Sequence, residues 1–554
     1  MTRRVTTLLS ATAVSLFVLG CAPQNTADKG FVVDAAQDYT ASDLVSQTLP
    51  ELAAQLQSGD ITVEQLTRAY LARIDAVDKS GPRLQAVLSL NPNALSDARA
   101  LDAKREAGEP LGALHGLPIL LKDNIESKDP VATTAGALAL ADNITGRDAP
   151  LVAGLREAGA VIIGKANLSQ WANFRSRNSM SGWSALGGQV RNPHSLDRNP
   201  CGSSSGSGAG VASSLAAGAV GTETNGSIIC PSTINGVVGF KPTVGLVSQQ
   251  YIVPISSSQD TAGPMTKTVR GAAMMLGPMA GNDVDYSAGL SADALRGQRI
   301  GVMRFAQGSH SGIQAQFDES LKVLTTAGAE LIEIDAFDLG VEGYGGKSFS
   351  VLQYEFKATL NDYLASTPDT VETRTLSELI RFNTANTDVE LPLFDQSILE
   401  LSEARGPLSE QAYIDAASEI KLATGKNGID RLLSEHNVVA LVAPSGPLPG
   451  RIDPVNGDVW PDWAGAGYLA AVAGYPHLSV PMGTVRGMPI GLSFIGTAGD
   501  DGNILGYGYA FEQQSKTREN MSRAAPQYRQ SAEDVDVIGT AMRPHALETA
   551  ARKD

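Results

Sequence analysis

The sequence predicts an α/β protein, and three observations carry that prediction. Apolar runs of strand length alternate with segments of helical periodicity from about residue 45 to 516. With 43% hydrophobic and 18% charged residues over 554 positions, the chain has a globular composition, with material for one large domain or two ordinary ones. No fixed-period repeat interrupts the alternation, which sets aside solenoids and propellers.

The first 21 residues stand apart. Arg3 and Arg4 form a basic start, Leu8 to Leu19 an apolar run, and Val18-Leu19-Gly20-Cys21 places a cysteine after a small residue. This predicts a lipoprotein-type signal peptide over 1–21, with Cys21 as the lipidation site, and export to a bacterial cell envelope, periplasmic or lipid-anchored. An ordinary cleaved signal with an incidental Cys21 is the plainer reading. The apolar run is too short to cross a bilayer permanently, so any membrane attachment is through the lipid. Residues 22–44 read as a tether.

The folded part is expected over 45–516. Thr62 to Gln65 has the form of a capping box, and Leu66, Tyr70 and Ile74 follow at helical spacing. Leu117 to Leu121 reads as a buried strand, Leu151 to Ala158 as a helix stopped at Gly159, and Ala160 to Gly164 as the next strand. Ile300 to Phe305, Phe317 to Ala327 and Ala329 to Asp335 repeat strand, helix, strand. Residues from 340 to about 435 are rich in helix formers and read as a helical cover. The polar stretch 517–554 reads as a loosely packed tail.

A formal net charge of -16 argues against a nucleic-acid partner, since a phosphate backbone would be repelled on average. Beyond Cys21 only Cys201 and Cys230 remain, too few for a disulfide scaffold although one bridge is conceivable.

Three segments carry chemistry. Gly116-Leu117-Pro118-Ile119-Leu120-Leu121-Lys122 puts a lysine at the end of an apolar strand, where desolvation favours the neutral amine and makes it a base; a lysine capping a strand is more often structural. Cys201-Gly202-Ser203-Ser204-Ser205-Gly206-Ser207-Gly208 leads into the small-residue run Ala209 to Ala219, which suits a tightly packed helix rather than a flexible linker. No lysine follows those glycines where a phosphate loop requires one. Gly221-Thr222-Glu223-Thr224-Asn225-Gly226-Ser227 places a serine on a tight turn, with amides from Thr224 to Ser227 able to face a developing oxyanion; alone, it would be a simple turn.

In this order, with Ser227 24 residues after Ser203, the segments resemble the amidase signature family. The likeness continues through Gly239-Phe240-Lys241-Pro242-Thr243, Asp260-Thr261-Ala262-Gly263-Pro264-Met265 and Pro489-Ile490-Gly491-Leu492, and so covers nearly all of 45–516. It implies a mixed central β-sheet flanked by helices on both faces. It also implies Lys122 as base, Ser203 as relay with a cis peptide bond before it, and Ser227 as acyl-forming nucleophile. Thr224, Asn225, Gly226 and Ser227 would form the oxyanion hole, with no metal or cofactor. A Ser-His-Asp alternative finds no support: none of His115, His194, His310, His436, His477 and His545 sits in a base motif, and Ser227 lacks a Gly-x-Ser-x-Gly elbow.

The departures refine the reading. Many members carry Asp-Thr-Gly-Gly-Ser-Ile-Arg, whereas this chain has Glu223 at the first position and Ile229 in place of the arginine, most like the peptide amidases, which hydrolyse C-terminal carboxamides. Cys201 replaces a glycine, and the two cysteines flank segments that must meet; the expectation is buried small side chains rather than a disulfide. Asp123, Ser179, Met180, Trp460 and Trp463 are candidate substrate contacts, each also readable as core or rim. The expected substrate is a peptide or small-molecule amide. Two other functions fit the same fold: the A subunit of glutamyl-tRNA amidotransferase, opposed by the export signal and acidic charge, and a non-catalytic envelope binding protein, opposed by the intact Lys122, Ser203 and Ser227.

Overall fold

Thr62 shows how local sequence sets the entry to the fold. Its hydroxyl accepts from the Gln65 amide at 3.1 Å while Gln65 Oε1 accepts from the Thr62 amide at 2.9 Å, and this capping box opens the helix Val63–Arg73. Thr48 and Glu51 do the same for the helix Leu49–Ser58. The computed structural model describes residues 41–460, 462–517 and 528–529. The expected signal peptide, including Cys21, and nearly all of the expected tether and tail lie outside these residues. A helix already begins at Ala41, inside the stretch read as tether. In the stretch read as tail, the Tyr528 amide donates to the Pro193 carbonyl at 3.1 Å and Arg529 Nε to the His194 carbonyl at 3.1 Å, so that point is docked on the domain.

The centre is an 11-stranded sheet. In chain order the strands are β1 (Val87–Leu90), β2 (Pro118–Lys122), β3 (Val161–Ala166), β4 (Gly218–Glu223), β5 (Val238–Lys241), β6 (Thr261–Thr266), β7 (Arg299–Met303), β8 (Glu330–Ile334), β9 (Ala440–Pro444), β10 (His477–Val485) and β11 (Met488–Ile495). Their order across the sheet is β1-β3-β2-β4-β6-β5-β10-β11-β9-β7-β8. Pairing is parallel for β3-β2-β4 and again for β9-β7-β8, and antiparallel from β4 through β6, β5, β10 and β11 to β9, so the sheet is mixed. Every residue of β2, β3, β4 and β6 is buried, as for strands paired on both edges and covered by helices. The helices Val269–Ala280, Ser311–Thr326 and Asp501–Ser515 flank the sheet and join its apolar core.

The small-residue run Ala209 to Ala219 is not one helix. The helix Ser205–Ala212 ends before Ser214, whose φ is 59°, and Gly218 already belongs to β4. Alanine, glycine and serine carry neither a helical nor a strand period, so the break is invisible in the pattern.

Between β8 and β9 the chain forms the helices Tyr344–Ala365, Leu376–Ala385, Ser397–Glu403 and Gln411–Thr424. A second apolar cluster ties this region to the loops after β3 and before β6: Phe356, Leu360 and Ile398 pack with Trp171, Phe174, Val253 and Ile255. That contact sets the helices over the ends of β2 and β4.

Candidate active site

Lys122 ends β2 between its parallel neighbours β3 and β4, fully buried. Its Nζ lies 2.7 Å from Ser203 Oγ, 2.8 Å from Thr222 Oγ1 and 3.2 Å from the Thr222 carbonyl oxygen. None of these partners is charged. Burial therefore pulls the Lys122 ammonium down to about 7, while the more distant carboxylates of Asp260 and Glu223 work the other way. Asn124 Nδ2 donates to the same Thr222 Oγ1 at 3.0 Å and holds it in place.

Ser203 reaches Lys122 from a loop whose backbone is unusual. Cys201 has a φ of 55°, and the Gly202-Ser203 peptide bond is cis. Ser205 Oγ donates to the Cys201 carbonyl at 2.6 Å, and the Ser203 carbonyl accepts from the Ser169 amide at 3.1 Å. A Cβ at Gly202 would stand 2.2 Å from Ser169 Oγ, so only glycine fits against that serine.

The turn bearing Ser227 is built by Glu223. Its Oε2 accepts from the amides of Ile228 at 2.7 Å and Ile229 at 3.0 Å, capping the short helix Ile229–Asn235 and folding the chain back after β4. Gly226 takes a φ of 83° at the tip, where a Cβ would meet nothing, so the requirement for glycine is conformational. Among the described residues, no group of the protein accepts the amides of Thr224, Asn225, Gly226 or Ser227. Thr224 Oγ1 donates to Asp260 Oδ1 at 2.5 Å, and Asp260 Oδ2 accepts from the amides of Ile255 at 2.8 Å and Ser256 at 2.9 Å.

Two links join the serine loops. The Ser204 amide donates to the Ser227 carbonyl at 3.2 Å, and Cys201 is disulfide-bonded to Cys230. The bridge corrects the expectation of two separate buried thiols: the loops approach closely enough for the cysteines flanking them to bond.

Ser227 opens onto a cavity of about 280 Å³. Thr224, Asn225, Gly226 and the disulfide line its floor, and Phe349 and Leu352 reach it from the helical cover. Trp460 and Trp463 stand edge to face with ring centres 5.8 Å apart; Trp460 packs on the disulfide and Trp463, 51% exposed, forms the rim. Three other candidates do not line this cavity. Met180 packs into a core with Trp183 and Phe394. Ser179 Oγ turns back to the Ser176 carbonyl at 2.8 Å. Asp123 faces Thr134 and the Lys165 ammonium, 3.4 Å away. Asp458, which the sequence did not single out, does line the cavity and accepts from the Ser181 amide at 2.8 Å and Asn199 Nδ2 at 2.7 Å. Among the described residues, no group of three or more His, Cys, Asp or Glu side chains could hold a metal ion.

A family profile described as Amidase matches residues 65–505. The chain belongs to the amidase signature family. A probable amidase of Arabidopsis thaliana is 35% identical over 493 residues, covering 85% of this chain and 90% of the relative. The A subunit of glutamyl-tRNA(Gln) amidotransferase from Thermoanaerobacter pseudethanolicus is 32% identical, covering 86% of this chain and 97% of that one. The crystal structure of native peptide amidase from Stenotrophomonas maltophilia is 44% identical with a TM-score of 0.81, covering 85% of this chain and 97% of that one. The fold is accordingly that of an amidase signature enzyme, and the protein is an amide-hydrolysing enzyme.

Sequence reading missed several parts of this amidase's site. Thr222, which takes two of the three contacts to Lys122, sat inside a motif already noted, but the register pairs Leu121 with Val220, so strand alternation alone does not direct it at the lysine. Phe349 and Leu352 carried no local signal, because they lie on a helix that reaches the site only through long-range packing.

Proposed function

We propose that this amidase hydrolyses primary amides, C-terminal carboxamides of peptides foremost, through an acyl-enzyme on Ser227. The observation that carries the reading is the set of neutral oxygens around Lys122 Nζ. A neutral amine has two N–H bonds and one lone pair. The carbonyl and hydroxyl oxygens of Thr222 take the N–H bonds, which leaves the lone pair for the hydroxyl proton of Ser203. Ser203 in turn takes the proton of Ser227, whose oxygen attacks the amide carbon. The unengaged amides from Thr224 to Ser227 stabilise the oxyanion. As the carbon–nitrogen bond breaks, the proton held by the relay passes to the leaving nitrogen and ammonia departs. Water, deprotonated by the same relay, then releases the acid and restores Ser227.

The preference for peptide carboxamides is supported by Glu223 and Ile229 and by the likeness to peptide amidase, one structure of which holds the competitive inhibitor chymostatin. The apolar walls Phe349, Leu352 and Trp460 suit the side chain of a peptide's last residue. Ammonia release from a C-terminally amidated dipeptide by wild type, absent in Ser227→Ala, is the expected result. Ammonia from a simple aryl amide alone would remove the peptide preference. Failure on both, with no labelling by an active-site serine probe, would overturn the mechanism.

We also place the mature enzyme at the cell envelope. The pattern from Arg3 to Cys21 supports this, as does a disulfide beside the nucleophile, which persists in an oxidising compartment. Mass spectrometry of the mature N-terminus should find a diacylglyceryl Cys21; an unprocessed Met1 would refute export.

A further inference from the structure

A second cavity, about 310 Å³, meets the first behind the Ser227 turn. Ala172, Thr224 and Ile255 line both, so the two share a wall at the site of attack. They differ in what else they touch. Thr222 and Asn124, the residues that arrange Lys122 Nζ, line only the second.

The chemistry of its walls is one-sided. Asp260, half-buried, and Asp362, exposed at the mouth, contribute carboxylates, and no lysine or arginine lines the cavity. Asn124 is 3% exposed, and its Oδ1 is a buried acceptor with no hydrogen-bond partner. Its Nδ2 is already directed at Thr222 Oγ1 and the Val253 carbonyl, which fixes the orientation of the amide. Asp260 already accepts from Thr224 and from the amides of Ile255 and Ser256, so the unpartnered buried acceptor of the cavity is Asn124 Oδ1, and with the negative charge of Asp260 and Asp362 beside it the complement it lacks is an N–H donor carrying positive charge.

We propose that this cavity is a leaving-group subsite for amines with a cationic substituent, so that the enzyme also cleaves secondary amides R–CO–NH–R′ in which R′ bears an ammonium. The inference rests on the reading of Ser227 and Lys122 given above. In that mechanism the leaving nitrogen receives its proton from the relay and must face it, so any substituent on that nitrogen extends to the Lys122 side, where Thr222 and Asn124 stand. The acyl part occupies the apolar cavity under Trp460. The bonds exchanged are those of the primary amide: the carbon–nitrogen bond breaks, the Ser227 ester forms, the Ser227 proton ends on the nitrogen of the departing primary amine, and water hydrolyses the ester. Asn124 Oδ1 accepts an N–H from that amine, while Asp260 and Asp362 attract the distal ammonium.

Three amides of one N-acylated amino acid test this: the primary amide, the N-propyl amide and the N-(2-aminoethyl) amide. The aminoethyl amide should exceed the propyl amide in kcat/KM by about fivefold or more, as expected of a partly desolvated ion pair, and the ratio should fall towards one in Asp362→Asn. Each variant's rate on the primary amide serves as its own reference. Equal rates on the two substituted amides, a ratio unchanged by Asp362→Asn, or cleavage of the primary amide alone would overturn the subsite. Loss of all three substrates would instead overturn the catalytic reading, and the subsite with it. A measurement on wild type alone is independent of the variant's folding: propylammonium should inhibit primary-amide hydrolysis competitively where propanol at equal concentration does not, and equal inhibition would refute the proposal.

Discussion

Lys122 and Lys165 sit side by side at the ends of β2 and β3, both fully buried, and the protein surrounds them differently. The register pairs Lys165 with Leu121, so strand alternation turns the two lysines to opposite faces of the sheet. Lys165 Nζ donates to the Ile125 carbonyl at 2.7 Å and to Thr133 Oγ1 at 2.7 Å, and lies 3.4 Å from the Asp123 carboxylate. Burial drives the Lys165 ammonium down and the Asp123 carboxyl up, and their mutual attraction opposes both shifts. Lys122 has oxygens of hydroxyl and carbonyl type only, one of them on a serine that reaches the nucleophile loop. Burial alone does not make a base: a buried lysine with a carboxylate partner organises loops, and one with neutral partners and a path to a cavity can exchange a proton.

Substitution is the strongest way to break this contrast. Lys122→Met should lower kcat by about 10³-fold or more, the scale of losing a general base, while leaving the denaturation midpoint close to wild type. If kcat falls less than tenfold, Lys122 is not the base. Lys165→Met should do the reverse. It strands Asp123 in the interior and should cost about 3–5 kcal/mol in denaturant unfolding, with kcat of the folded fraction retained. A Lys165 variant that keeps its stability and loses its turnover would erase the distinction.

Two smaller effects sharpen it. In the proposed mechanism the neutral form of Lys122 is the working form, and burial holds its ammonium down at about 7, so kcat/KM should rise with pH up to that region and fall about tenfold per unit below it. An acid limb displaced to pH 5 or below would assign the base elsewhere. Thr222→Val removes one of the oxygens that orient the amine but leaves the carbonyl, and should lower kcat by about five- to tenfold with little change in KM. A change confined to KM would make Thr222 a substrate contact instead.

The strands β2, β3, β7 and β8 were legible as apolar runs next to glycine, whereas β4 was hidden in a run of small residues, and the capping box at Thr62 states its own geometry. The segments holding Lys122, Ser203 and Ser227 were legible by resemblance, since each alone reads equally well as a strand end, a linker or a turn. What escaped depends on residues far apart in sequence. Met180, flanked by serines, reads as a candidate pocket wall until Trp183 and Phe394 close over it. Cys201 and Cys230 read as two separate buried side chains until the loops they flank are folded together. Asp123 follows Lys122 directly and invites a reading as a substrate contact, yet strand alternation sends it to the other face, towards Lys165.

The bridge between Cys201 and Cys230 closes a covalent ring that contains Ser203, the helix after it, the whole of β4, the Glu223 turn and Ser227. Unfolding the rest of the chain cannot separate the two serines by more than that ring allows. The unfolded state of this segment is thus a small circle rather than an open thread, and losing that constraint for a 29-residue separation would cost about 3.6 kcal/mol. The chain carries in its own covalent topology part of the instruction for bringing these two loops back together.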